Sequence, residues 1–148
     1  MKYLISACLI GENCKYDGKH NYHEIANKLY LEKLAYPVCP EELGGLPTPR
    51  VPSEINGKNV VNKEGEDVTR EFIFGAEKTL QIARKLGVSI AILQARSPSC
   101  GSKQIYDGTF SNQLIDGEGV TTKLLREHGI RVITIDEYIK DYYETDFE

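Results

Sequence analysis

Short apolar runs, amphipathic stretches and turn-forming residues succeed one another regularly along this chain. Residues 2–7 read as a buried strand, and residues 23–34 as a helix with Ile25, Leu29 and Leu34 on or near one face. A second strand is predicted at 36–39. Between the first strand and the helix, the segment Gly11–Gly18, with its glycines, Asn13 and Asp17, marks a compact loop. The stretch from Glu41 to Pro52 is too rich in Gly and Pro for a long helix or a central strand and reads as a rigid, irregular connection. Ser53-Glu54-Ile55 and Asn59–Asn62 flank Asn56-Gly57, a pair favoured at a type I′ turn, and predict a small β-hairpin.

Thr69 is placed to cap a long helix over 70–86, with Phe72, Ala76, Leu80 and Ala83 on one stripe and Gly87 as its stop. Val88–Leu93 is continuously apolar and β-branched in part, as a strand covered on both faces should be. A long loop, Gln94–Asp116, follows, interrupted by a short extended piece at Gln104-Ile105-Tyr106. A helix over 119–128 closes at Gly129, a strand runs from Arg131 to Ile135, and Asp136 caps a last helix over 137–143. This alternation predicts an α/β fold over residues 1–148: a parallel sheet flanked by helices, a Rossmann-like three-layer sandwich with a small β-hairpin insertion, forming one domain. The acidic, aromatic end Asp141–Glu148 reads as a helix end fraying into a solvated tail.

Composition narrows the chemistry. A formal net charge of −4, with scattered Lys and Arg, argues against binding extended nucleic acid, which needs clustered cations against phosphates. There is no long apolar segment for a membrane and no secretory leader pattern, so the protein is expected to be cytoplasmic, where thiols stay reduced. Its four cysteines are then metal-binding, catalytic or buried rather than disulfide-bonded.

Three of them, Cys8, Cys39 and Cys100, lie where a strand-like run gives way to a loop. If the runs are parallel strands of one sheet, their carboxyl ends open into the crevice where such folds bind ligands. Any one cysteine could be a small core hydrophobe, and Cys8 is the most core-like of the three. Cys39, before Pro40 and an acidic pair, and Cys100, between Ser99 and Gly101, do not resemble core residues. A structural zinc site draws ligands from a tight C-x-x-C turn, absent here, whereas dispersed thiolates better suit an iron–sulfur cluster. Glu41, two residues past Cys39, could serve as a general acid or base, and Ser97 either caps a turn before Pro98 or reaches into the site. His20, His23 and His128 lack partners at a triad spacing, and Gly44-Gly45 and Gly117-Glu118-Gly119 are weak phosphate-loop candidates.

The segments Ser6–Gly18, Val38–Arg50, Arg96–Gly101 and Tyr106–Phe110 resemble the thiouracil desulfurase family nearly end to end. The resemblance implies a 4Fe-4S cluster on Cys8, Cys39 and Cys100, with Glu41 and Ser97 serving the chemistry, in a single-domain member that removes sulfur from a thiolated pyrimidine base or nucleoside without net redox change. Cys14 also lies in a matching motif, and the strand-end argument alone ranks Cys8 above it as the third ligand. The alternative from another class is a non-catalytic iron–sulfur or metal-binding module for storing or sensing iron or sulfide. Thiol redox catalysis is disfavoured by the missing C-x-x-C.

Overall fold

A computed structural model describes residues 1–147. In chain order the elements are β1 (Tyr3–Ser6), a 3-10 turn (Ala7–Ile10), α1 (Glu24–Leu31), β2 (Ala35–Val38), α2 (Pro40–Leu43), β3 (Ser53–Asn56), β4 (Asn59–Asn62) and α3 (Thr69–Leu86). There follow β5 (Ile90–Ile92), β6 (Gln104–Tyr106), β7 (Leu114–Asp116), α4 (Val120–Glu127), β8 (Arg131–Ile133), α5 (Ile135–Asp141) and α6 (Tyr143–Asp146). The central sheet is parallel throughout, in the order β2-β1-β5-β8, and the pairs β3-β4 and β6-β7 form separate antiparallel hairpins. The parallel α/β sheet flanked by helices is the fold the sequence predicts.

The period-two alternation of β1 builds both faces. Tyr3 and Ile5 point into a cluster with Ala26, Leu29, Ile92, Ile133 and Tyr138, on the α1 and α5 side. Leu4 points the other way, to Leu80, Ala83, Ala91, Leu93, Leu125 and Val132, on the α3 and α4 side. Leu4, Ile5, Leu29, Ile92 and Leu125 are fully buried, each contributing roughly 1.5–3 kcal/mol from removal of apolar surface from water. Phe72, Ala76, Leu80 and Ala83 are buried along α3 as the stripe predicts, and Gly87 ends that helix at φ 70°, a left-handed cap that favours glycine. Among the described residues no helix is long and apolar enough to cross a membrane.

Several expectations are corrected. The residue after Ser6 leaves the strand at once, in a 3-10 turn closed by Gly11 at φ 96°. Thr69 is the first helical residue rather than the cap; its hydroxyl oxygen accepts from Val60 N–H at 2.8 Å, and Asp67 accepts from Thr69 N–H at 2.9 Å. The last helix is capped by Thr134 rather than Asp136, in a reciprocal box with Glu137, because Ile135 has already turned helical. The first hairpin turns on Gly57-Lys58, with Asn56 paired to Asn59. Gly57 has φ 62° and Lys58 is not left-handed, the sign pattern of a type II′ turn rather than type I′. The connection after Cys39 begins with a helical turn, α2, Pro40 occupying a first-turn position where its missing N–H costs nothing. The long loop after β5 folds back as a second hairpin, β6-β7.

Among the described residues, the acidic C-terminal stretch does not fray into solvent but is anchored at Asp146. Asp146 is 3% exposed and accepts from Tyr3 O–H at 2.6 Å, Tyr138 O–H at 2.8 Å and Lys2 Nζ at 2.6 Å. Burial alone would raise its pKa, but the bonds from Lys2, Tyr3 and Tyr138 outweigh that and hold it below the ordinary carboxylate value. Both phenols are in turn pushed up, first by burial and then by their bonds to Asp146. The sequence hides this because Lys2 and Asp146 are 144 positions apart.

Asp146→Ala should therefore lower unfolding stability on the order of 2 kcal/mol by leaving two buried phenols and a lysine without their acceptor, read as a shift in the urea midpoint. A carboxylate with a depressed folded pKa stabilises fully above the unfolded value near pH 3.9 and loses that contribution as pH falls through the folded value. Wild type and variant should thus differ at neutral pH and converge in acid.

Candidate functional site

The sheet order reverses at β1: the chain moves from β1 outward to β2, then returns to the other side of β1 for β5. Such a switch point leaves a crevice at the carboxyl ends of the strands, and here a cleft of about 620 Å³ opens there. It is lined by Cys8, Cys14, Cys39, Glu41, Ser97 and Cys100, so all of the predicted site residues and the doubtful fourth cysteine share one cleft. All four cysteines are free.

Each thiol is held by its own piece of backbone. Cys8 sits in the 3-10 turn immediately after β1, and the Asn21 amide donates to its sulfur at 3.5 Å. Cys39 directly follows β2 and stands at the N-cap of α2. That helix lies hard against α3: a methyl on Gly44 would stand 2.0 Å from Glu71 O, and one on Gly75 1.9 Å from Pro40 O. Both positions accept only glycine, and the contact fixes Cys39 and Glu41 relative to the core. Gly44 of the Gly44-Gly45 pair thus serves helix packing, and Gly45 takes a left-handed φ of 93° in the turn that follows α2.

Cys100 lies in the loop after β5, and that loop is bonded to the start of α4. Val120 N–H donates to Pro98 O at 2.9 Å, Thr121 N–H to Ser99 O at 2.9 Å, and Thr122 O–H to Cys100 O at 2.8 Å. Gly119 packs on the Ser99–Cys100 backbone, where a methyl would stand 2.3 Å from Ser99 C. The α4 N–H groups that a phosphate would need are therefore occupied by carbonyls, and Gly117-Glu118-Gly119 is not a phosphate loop. Ser97 takes the turn-capping role: its hydroxyl oxygen accepts from Ser99 N–H and Cys100 N–H, both at 3.0 Å. Its own proton stays available to a group in the cleft.

The thiols interact. Cys14 is buried against Cys39 and Cys8, and hydrogen bonding with those two sulfurs, reinforced by burial, pushes its pKa far up. The same contact with Cys14, helped by Asn21, lowers Cys8. Cys100 is pushed up by burial first, then by the negative charges of Glu41, Cys8 and Cys39. Burial raises Glu41 as well, and the neighbouring Arg50 guanidinium opposes the shift.

Arg50 and Asn21 are site residues that sequence reasoning missed. The Arg50 side chain is 7% exposed; it pairs with Glu41 at 3.4 Å and donates to Cys14 O at 3.0 Å, Thr48 Oγ1 at 3.0 Å and Pro47 O at 3.2 Å. The available signal was a cation closing the rigid Pro47-Thr48-Pro49 run just after an acidic pair. Asn21 had none. His23 caps α1, its Nδ1 accepting from Ile25 N–H at 3.1 Å, which accounts for one of the unpartnered histidines.

The 2-thiouracil desulfurase family matches residues 3–137. The chain belongs to that family. It is 46% identical to the uncharacterised protein YbbK of Bacillus subtilis strain 168, over 90% of this chain and 95% of that one. It also superposes on the solved structure of the 4Fe-4S-dependent thiouracil desulfidase TudS, with a TM-score of 0.91 and 42% identity over 99% of both chains. Family and fold together support desulfuration.

Whether a 4Fe-4S cluster suits these residues is decided by the donors. Among the described residues no trio of His, Cys, Asp or Glu forms a group that could hold one metal ion. Three soft thiol donors from three different strand ends line one cleft, and thiolate is the usual donor to iron in an iron–sulfur cluster, so the donor set fits the group.

Arg50 ties the Cys14 loop, the 47–50 turn and Glu41 together. Arg50→Met should cost on the order of 3 kcal/mol in urea unfolding of the cluster-free protein, as loss of one partner of a buried ion pair does. Arg50→Lys should recover only part, since a point charge cannot serve several acceptors at once.

Proposed function

We propose that this protein is a 4Fe-4S-dependent, non-redox desulfurase of 2-thiouracil or a related thiolated pyrimidine base or nucleoside. The observation that carries the reading is the gathering of Cys8, Cys39 and Cys100 from three strand ends at one cleft, beside the largely buried Glu41. Cys8, Cys39 and Cys100 would hold the cluster, which supplies a Lewis-acidic iron with an open position for a soft thiocarbonyl sulfur. A cytoplasmic setting agrees with four free thiols.

The net reaction exchanges sulfur for oxygen: a thione and water give a carbonyl and hydrogen sulfide, with no change in oxidation state. The protein must deliver a proton and activate a water, and Glu41 is suited to both. Burial favours its protonated form, Arg50 lets it ionise, and it stands among the thiols. A carboxyl balanced in this way can give a proton to the ring and take one from water at the carbon losing sulfur. Ser97 holds the Cys100 loop and presents one O–H donor to the cleft. Arg50 keeps Glu41 in place through their ion pair and shares the Thr48 hydroxyl with the neighbouring Glu42. A module that merely stores iron or sulfide would need the thiols but no proton-transfer acid, so Glu41 separates the two readings.

Protein purified without oxygen should carry about four irons and be brown. Cys8→Ser, Cys39→Ser and Cys100→Ser should each lose the iron, and Cys14→Ser should keep it. Loss in Cys14→Ser with retention in Cys8→Ser would exchange the two assignments, and stoichiometric zinc without sulfide would overturn the cluster.

Glu41→Gln should keep full iron while its release of uracil and sulfide from 2-thiouracil falls roughly 10²- to 10⁴-fold, the usual range for a lost general acid or base. Turnover equal to wild type would remove Glu41 from the mechanism. No turnover of any thiolated pyrimidine by the loaded wild type would favour the storage or sensing module.

A further inference from the structure

Among the described residues, four non-glycine residues have left-handed backbone: Lys33 at φ 60°, Arg96 at 67°, Phe110 at 56° and Asn112 at 61°. Lys33 follows the end of α1, where a left-handed residue commonly terminates a helix. The other three all line the cleft. A left-handed phenylalanine is the least expected of them, since Asn enters that region readily and bulky side chains do not.

The turn that carries Phe110 is built to hold it there. It joins β6 to β7 and is closed by Asp107 N–H donating to Gln113 O at 2.9 Å. Its tip rests on β3: Gly108, at φ 94°, lies so close that a methyl would stand 2.8 Å from Ile55 O. One carboxylate oxygen of Glu54, on β3, accepts from both Gly108 N–H at 3.0 Å and Phe110 N–H at 3.1 Å. The two hairpins are thereby joined across the mouth of the cleft by a single side chain 54 and 56 positions away in sequence. Phe110 belongs to neither apolar core cluster and remains half-buried. Core packing thus does not account for an aromatic ring held against its backbone preference on the wall of a ligand cleft.

We infer that Phe110 stacks on the substrate ring and determines specificity for a flat, aromatic thione, and that Glu54 is the positioning residue that fixes Phe110. The inference rests on the desulfurase reading above and adds to it the part of the protein that recognises the ring rather than the sulfur. A pyrimidine thione offers a planar π face, which an aromatic wall meets by offset or edge contact while excluding water. A saturated ring with the same thiocarbonyl offers the sulfur without that face.

The test compares 2-thiouracil with 5,6-dihydro-2-thiouracil on cluster-loaded wild type, Phe110→Leu and Phe110→Tyr. Phe110→Leu should raise KM for 2-thiouracil roughly 5- to 150-fold, the range set by loss of one aromatic stacking partner, with kcat little changed because stacking is shared by ground and transition states. KM for the saturated ring should move far less, and Phe110→Tyr should restore discrimination. Glu54→Ala should shift KM in the same sense and, in cluster-free protein, speed amide hydrogen exchange at Gly108 and Phe110. Glu54→Gln keeps an oxygen that accepts both N–H groups and should behave as wild type. Should Phe110→Leu fail to take up iron, the Glu54 pair decides the question alone. Equal KM shifts for the two rings, or none, would overturn the stacking role, and unchanged exchange in Glu54→Ala would overturn the positioning role. Wild type inactive on 2-thiouracil would instead remove the desulfurase reading and the stacking assignment with it, whereas active wild type with unaltered discrimination in the variants removes the stacking alone.

Discussion

Parallel pairing of β1 with β2 on one side and β5 on the other is the constraint from which the site follows. Tyr3 lies in register with Ala35 and with Ile90, so the three strands run level and their carboxyl ends come out on the same edge. Parallel neighbours cannot be joined by tight turns, and their crossovers leave the chain free to place a loop after each strand end. Cys8, Cys39 and Cys100 occupy those three exits. A one-residue slip of β1 would exchange Tyr3 and Ile5 for Leu4 between the two core faces, a cost that pins the register and with it the position of Cys8.

β1 is held at both ends by polar contacts that the apolar pattern does not announce. At its start, Tyr3 and the adjoining Lys2 are bonded to Asp146 from α6. At its end, the Ser6 hydroxyl accepts from Gln94 N–H at 2.9 Å, joining the exits of β1 and β5, and Asn21 reaches the Cys8 sulfur beyond. The other two thiols depend on backbone approaching backbone: the Gly44–Gly75 crossing behind Cys39, and the seating of the 98–101 loop on α4 behind Cys100. Such contacts resist small displacements steeply, because a shift of even a few tenths of an ångström meets main-chain atoms rather than adjustable side chains.

What the sequence revealed and what it concealed divide along physical lines. The strands, the long α3 helix and its buried stripe follow from local periodicity, and the three thiols could be gathered because each lies at or in the loop after an apolar run. Bonds between distant segments leave no periodic trace. Arg50 to Cys14, Asn21 to Cys8 and Asp146 to Lys2 and Tyr3 all join separate segments, and the acidic C-terminus therefore read as solvated although the Asp146 side chain is fully bonded. Glycine was ambiguous for a related reason: Gly44 and Gly119 look like phosphate-loop residues in sequence, but the same missing side chain lets a helix or a loop approach within van der Waals contact. The cap expected at Asp136 moved to Thr134, a residue of comparable capping ability, whereas Thr69 became the first helical residue with its hydroxyl engaged by Val60 N–H instead of the helix end.

The residues around the cleft also divide the demands of sulfur-for-oxygen exchange. In the proposed sulfur-for-oxygen exchange, thiol-held iron would suit the departing soft sulfur, whereas the incoming oxygen would need a hard proton donor and acceptor. In the proposed reaction Glu41 would serve as both, and the Arg50 guanidinium beside it opposes the upward shift that burial imposes on its carboxyl. Ser97 spends its lone pairs on the Cys100 loop and so faces the cleft as a donor, a polarity that welcomes a carbonyl or water oxygen more than a second donor. On the outer wall, the Glu54 bonds carry the ring-contacting turn on a different hairpin from the thiols. Substrate choice can therefore change at the β6-β7 turn without disturbing the strand exits that organise the chemistry.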